Sequence, residues 1–155
     1  MKEYAENEMY EKMREKVFFY VTYQKRTEAE LRRNFLPLFK KYNISKDLYY
    51  DLVEELKEKG HIDDIEFIRK KFETYMKFRK ASVKEIEYKL LKKGLAKESI
   101  DSYKEQNKDK LYIHDLEAAK NLYAKKIQEK NPDEVRMFLK RKGYSEEIIR
   151  QCEKE

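Results

Sequence analysis

The nineteen residues from Ser82 to Ile100, SVKEIEYKLLKKGLAKESI, recur forty-nine positions later as NPDEVRMFLKRKGYSEEII, Asn131 to Ile149. The alignment needs no gap and pairs Ile86 with Val135, Leu90 with Leu139 and Gly94 with Gly143. A second offset, of fifty-one, sets Asn43 to Met76 against Gly94 to Ile127, pairing Ile62 with Ile113, Asp64 with Asp115 and Ile65 with Leu116. A first copy is looser. Leu31 and Phe35 match, but FLPLFKKYN is four residues longer before Asn43 stands where the glycine should be. Asparagine tolerates a left-handed turn better than most residues. A period near fifty residues is too short for each copy to bury its apolar face alone. The chain is therefore expected to share that face between neighbouring copies, as tandem arrays do.

Each copy reads as three helices. Apolar residues keep a spacing of three and four, and the breaks fall at caps. Val17, Phe18, Tyr20 and Val21 form a first stripe ending near Gln24. Thr27 with Glu30, and later Ser82 with Glu85, have the spacing of a capping box, in which hydroxyl and carboxylate each take an otherwise orphaned amide. Stripes follow through Leu31, Phe35 and Leu38, then Leu48, Leu52, Val53 and Leu56, with Gly60 as terminator. Asp63 or Asp64 opens a helix carrying Ile65, Ile68, Phe72 and Met76. After Gly94 a helix runs from Lys97 through Ile100 and Tyr103, followed by YIHDLEAAKNLYAKKI. Asn131 and Pro132 are a cap and first-turn pair, and Ser145 starts the last helix.

Composition supports the same class. Only three Gly and two Pro occur among 155 residues, too few turn-formers for a sheet built of hairpins. The expected fold is all-α, an elongated, curved tandem array of three three-helix repeats. Residues 1–14 are expected to form a helical extension, with repeats at 15–62, 63–113 and 114–155. No apolar run approaches a membrane span, and MKEYAENEMYEKM is too acidic for a signal peptide. Cys152 is the only cysteine, which fits a reducing, cytoplasmic setting.

Catalytic chemistry finds little support. His61 and His114, each placed just ahead of a helix start, read as exposed or capping side chains, and with Cys152 they lack metal-ligand spacing. The glycines stand singly after helices, not in a phosphate loop. Asp63 and Asp64 read as a cap at a helix entry, not a metal pair. The expectation is a non-enzyme without cofactor or metal. Most of the thirteen Tyr and eight Phe lie on stripes and read as core, whereas Tyr49, Tyr50 and Tyr144 are uncommitted.

The charge is more informative. The formal net charge is +6, and ten Lys or Arg against three Glu fall between Arg69 and Lys93. Arg69, Lys70, Lys71, Lys77, Arg79, Lys80, Lys92 and Lys93 are the candidate contacts to a polyanion or an acidic surface, extended by Lys140, Arg141 and Lys142 at the equivalent place in the last copy. Cations in a last helical turn also complement the helix dipole, so packing alone could account for some of them.

Thr27, Glu30 and Leu31 in TEAELRR, then Gly60, Ile62, Asp63, Asp64 and Phe67 in EKGHIDDIEFI, and KLLKKGL at 89–95, resemble the RecX family of regulatory proteins. The likeness runs from about Val17 to the C-terminus. Two departures are the insertion around Pro37 and the later YIHDLEAA, with Leu111 in place of the glycine and Ala118 in place of the aromatic. The resemblance implies a monomeric, cytoplasmic modulator of RecA in DNA repair and the SOS response. Such a protein binds in the helical groove of the RecA filament on single-stranded DNA, lowers its ATPase and strand-exchange activity, and also binds single- and double-stranded DNA directly. The alternative is a helical DNA-binding protein with no dependence on RecA.

Overall fold

The computed structural model describes residues 2–78 and 81–154, with side chains from residue 7 onward. Among the described residues the chain forms nine helices and no strand: α1 (Lys2–Tyr23), α2 (Glu28–Lys41), α3 (Lys46–Glu58), α4 (Asp64–Lys77), α5 (Val83–Lys92), α6 (Lys97–Gln106), α7 (Lys108–Lys126), α8 (Pro132–Lys142) and α9 (Glu146–Glu153). They are distributed over two compact units. One comprises residues 1–67 with 93–95, the other 68–92 with 96–155.

In the first unit, Met13, Val17 and Val21 form the inward stripe of α1 and pack with Leu31, Phe35 and Phe39 of α2 and Leu52, Val53 and Leu56 of α3. The segment expected as an N-terminal extension is continuous with this helix. The four-residue insertion is absorbed as a turn of helix, since α2 has 14 residues where α5 has 10. Pro37 lies inside α2, where it removes one backbone donor. Tyr49 is buried in the same core, its ring edge-on to Phe39 at 5.5 Å between centroids, and burial pushes its hydroxyl up to about 12.

Three helix stops share one closure. Asn43, Gly60 and Gly143 all have positive φ, and in each case the next amide returns to the carbonyl five residues back: Ile44 to Phe39, His61 to Leu56 and Tyr144 to Leu139. This is the Schellman closure, which satisfies carbonyls that the helix leaves orphaned. Asparagine thus performs in the first copy what glycine performs in the others.

The second unit packs α7, α8 and α9 around Ala118, Ala119, Val135, Leu139, Ile148 and Ile149. Ile68, Phe72, Ile86, Leu90 and Ile100 are also buried, and Phe72 stacks on Tyr103 with centroids 4.6 Å apart. Tyr144 is buried as well, and burial raises its hydroxyl above the ordinary tyrosine value.

Four expectations change. Ile65 is 75% exposed, and Phe67 takes the buried place beside Ile68. The chain does not turn at Leu111; α7 starts at Lys108, and the break falls at Asn107, with φ of −124°. Leucine cannot cheaply take the left-handed conformation of Gly60, so the helix runs through and the boundary placed at 113/114 lies inside α7. His114 is therefore not ahead of a helix start but within α7, buried, with Nε2–H donating to the Ala81 carbonyl at 2.9 Å. Finally, Tyr49 and Tyr144, left uncommitted, are core residues, whereas Tyr50 is exposed.

Candidate functional site

One hydrogen-bond latch fixes helix ends in each unit. In the first, Thr27 Oγ1 accepts from the Glu30 amide (3.1 Å) while its hydroxyl donates to the Lys93 carbonyl (3.0 Å). The Glu30 carboxylate completes the capping box on the Thr27 amide, and Asp64 Oδ1 accepts the Glu28 amide at 3.0 Å. In the second, Ser82 Oγ accepts from the Glu85 amide (3.1 Å) and donates to the Lys142 carbonyl (2.5 Å). Glu85 returns to the Ser82 amide, and Asp115 Oδ1 accepts the Val83 amide at 3.0 Å. One hydroxyl thereby caps the start of a helix and the end of another, and one carboxylate takes the next orphaned amide. Burial pushes both Asp64 and Asp115 above the ordinary aspartate value, against the lowering effect of the amide each accepts. The aspartate pair thus divides its labour: Asp63 Oδ1 caps α4 through the Glu66 amide, and Asp64 reaches across to α2.

The second latch determines where the basic residues meet. It ties the first turn of α5 to the last turn of α8, and a cleft of about 310 Å³ opens between them. Lys84 and Lys89 come to it from α5, and Lys140, Arg141 and Lys142 from α8. Gly143 permits the close approach: a Cβ there would lie 2.8 Å from Lys84 Cβ and 3.0 Å from Ser82 Oγ. Glu85 is the acid of this cleft, 3.5 Å from Lys142 Nζ, and Lys140 Nζ is 3.4 Å from Glu146. Such partly exposed pairs contribute about 0–1 kcal/mol and exchange readily for another anion. Lys84 and Arg141 are exposed and have no acidic partner within ion-pair distance among the described residues.

The remaining expected contacts are dispersed. Arg69 bonds Glu73 one turn along α4 (2.6 Å), Lys71 is half-buried, and Lys70 and Lys77 are exposed. Lys92 is exposed with its ammonium 4.9 Å from the Tyr88 ring centroid. Lys93 belongs to the first unit, 4.0 Å from Glu30 and 5.8 Å from the Phe67 ring centroid. Arg79 and Lys80 lie outside the described residues. Of the expected set, the structure therefore gathers Lys140, Arg141 and Lys142, and it adds two that sequence reasoning did not select, Lys84 and Lys89. No local signal marks them, because what brings α5 to the last turn of α8 is the Ser82–Lys142 bond, sixty residues apart in sequence.

The described residues contain no group of three or more His, Cys, Asp or Glu that could hold a metal, and no helix long and apolar enough to cross a membrane. What the cleft can do is hold an anion, through ammonium groups and one guanidinium fork suited to phosphate or carboxylate oxygens.

No protein-family model matches the chain. The curated regulatory protein RecX of Staphylococcus carnosus (strain TM300) is 27% identical over 136 residues, covering 86% of this chain and 49% of that protein. The chain thus spans about half the length of the curated relative it matches. The crystal structure of RecX from Lactobacillus salivarius is similar with a TM-score of 0.74 and 21% identity, over 94% of each chain. Another crystal structure of a regulatory protein RecX is similar at 0.75 and 21% identity, over 97% of this chain and 74% of that one. The fold is that of the RecX structures.

Proposed function

We propose that this chain, which has the fold of the RecX structures, regulates RecA by binding the RecA filament on single-stranded DNA and lowering its ATPase and strand-exchange activity. The observation that carries the reading is the 27% identity to a regulatory protein RecX along 86% of the chain. The mechanism is differential binding. A protein that binds one filament state more tightly than another shifts the balance toward it without chemistry of its own. The exposed cations of α4, α5 and α8 supply the electrostatic contacts, with Lys70, Lys77, Lys92 and Arg141 the most available. The chain acts in the cytoplasm as a non-enzyme, without cofactor, as a monomer.

The test is RecA ATPase on DNA already coated with RecA. Substoichiometric protein should inhibit it, and reversing Lys70, Lys77, Lys92 and Arg141 to Glu should relieve inhibition with helical content unchanged by circular dichroism. Inhibition that appears only when the protein is in excess, and that disappears once free DNA is saturated, would instead identify a RecA-independent DNA-binding protein.

A further inference from the structure

We propose that the cleft between the first turn of α5 and the last turn of α8 is a site for one nucleotide unit, with a phosphate on Lys84, Lys140 and Arg141 and an unpaired base laid on Tyr88. Four observations carry it. Five cations meet one carboxylate, Glu85, around the cleft. Tyr88 lines the same cleft with 59% of its surface exposed, so its ring is available to a flat partner. Lys92 Nζ lies over that ring, 4.9 Å from its centroid, and adds positive charge to the site. The volume, about 310 Å³, is at the small end of ligand sites, enough for a nucleotide and not for a duplex.

The helix ends do not decide the sign of the site. The positive end of α5 meets the negative end of α8, roughly half a charge each, and Ser82 takes up the Lys142 carbonyl. Side chains therefore set the potential, and they set it positive. Packing does not require them. The first copy keeps the cap and core at Thr27, Glu30 and Leu31, yet carries Ala29, Arg33 and Asn34 where the second has Lys84, Tyr88 and Lys89. The latch recurs; the ring and the paired lysines do not.

This rests on the proposed reading of the basic residues as electrostatic contacts and gives one part of them a ligand. The recognised chemistry, a phosphate next to an unpaired base, occurs both in single-stranded nucleic acid and in a free nucleoside triphosphate. Binding is measured by fluorescence anisotropy with a labelled oligothymidine strand, the same strand made abasic, and ATP as competitor. Variants are Tyr88→Ala, Tyr88→Phe and the double change Lys84→Gln with Arg141→Gln, all at exposed positions. Tyr88→Ala should weaken the oligothymidine strand about tenfold, whereas Tyr88→Phe keeps its affinity, as stacking on a ring demands. The double variant should flatten the slope of log affinity against log salt by about 0.7 for each phosphate that is no longer neutralised. Displacement of the strand by ATP assigns the cleft to free nucleotide as well; binding of the strand alone assigns it to polynucleotide. Either supports the site. Equal binding of abasic and thymidine strands, or variants that bind as wild type, would overturn it. RecA ATPase assayed on the same variants separates the two readings: unaltered strand binding with inhibition intact removes the site and leaves the function, and absent inhibition with variant-sensitive binding does the reverse.

Discussion

At the scale of single residues, glycines of similar φ have different costs. A Cβ at Gly60 would meet nothing within 4 Å, so Gly60→Ala should cost only left-handed strain, about 1 kcal/mol. At Gly143 the same Cβ would press on Lys84 and Ser82, and Gly143→Ala should cost about 2–4 kcal/mol. Urea unfolding of the two variants measures the difference, and equal losses would mean that the α5–α8 approach is looser than these distances imply. Ser82→Ala removes both a cap and the partner of a carbonyl, for an expected loss of about 2–3 kcal/mol.

Asp115 carries a pH signature of definite sign. Its folded value lies above the ordinary one, so between the two the folded state holds the proton more tightly. Stability from this group is therefore greatest below the ordinary aspartate range and declines as pH rises through the raised value. An asparagine at this position would keep an acceptor for the Val83 amide without the charge. Asp115→Asn should gain on wild type as pH rises across that window, read as the difference between two denaturation series. Taking the difference matters because Glu55, lowered first by its hydrogen bond to Arg14, titrates with the opposite sign in both proteins.

At the scale of elements, α2 bears an interior proline that its packing does not use. Pro37 is exposed, and the amide it lacks would close on Arg33. Pro37→Ala should raise the melting temperature, with a gain of about 1–3 kcal/mol reduced by the freer unfolded chain. Helix starts and stops were legible because their chemistry is local: hydroxyl to the third amide, and the amide after a left-handed residue to the carbonyl five back. What was misread depended on neighbours. The Ile65 stripe marks a direction on α4, not how far along the helix a packing partner reaches. The expected helix YIHDLEAAKNLYAKKI in fact starts earlier, at Lys108, because with leucine at 111 nothing stops a helix already under way.

At the scale of the whole molecule, the sequence carries a formal charge of +6, and folding brings five of its cations, from α5 and α8, to one cleft. Reversing Arg141 should therefore lower affinity for single-stranded DNA more than reversing Lys12, an exposed lysine of α1 4.0 Å from Glu8. Filter binding at two salt concentrations checks this; equal effects would mean that net charge alone governs the interaction.

The amino-acid order by itself determined the helical class and the caps, because each depends on residues within five positions of one another. Tertiary structure decided which repeated residues do more than pack. Ser82 and Thr27 declare themselves as caps, but their second bonds reach carbonyls 60 and 66 residues away. His114 becomes a buried donor to the Ala81 carbonyl, Asp64 becomes the acceptor of the Glu28 amide, and Lys84 and Tyr88 become neighbours of Arg141, only after the chain folds back. No spacing along the sequence encodes such pairs. They follow from which helix end a shared hydroxyl happens to join.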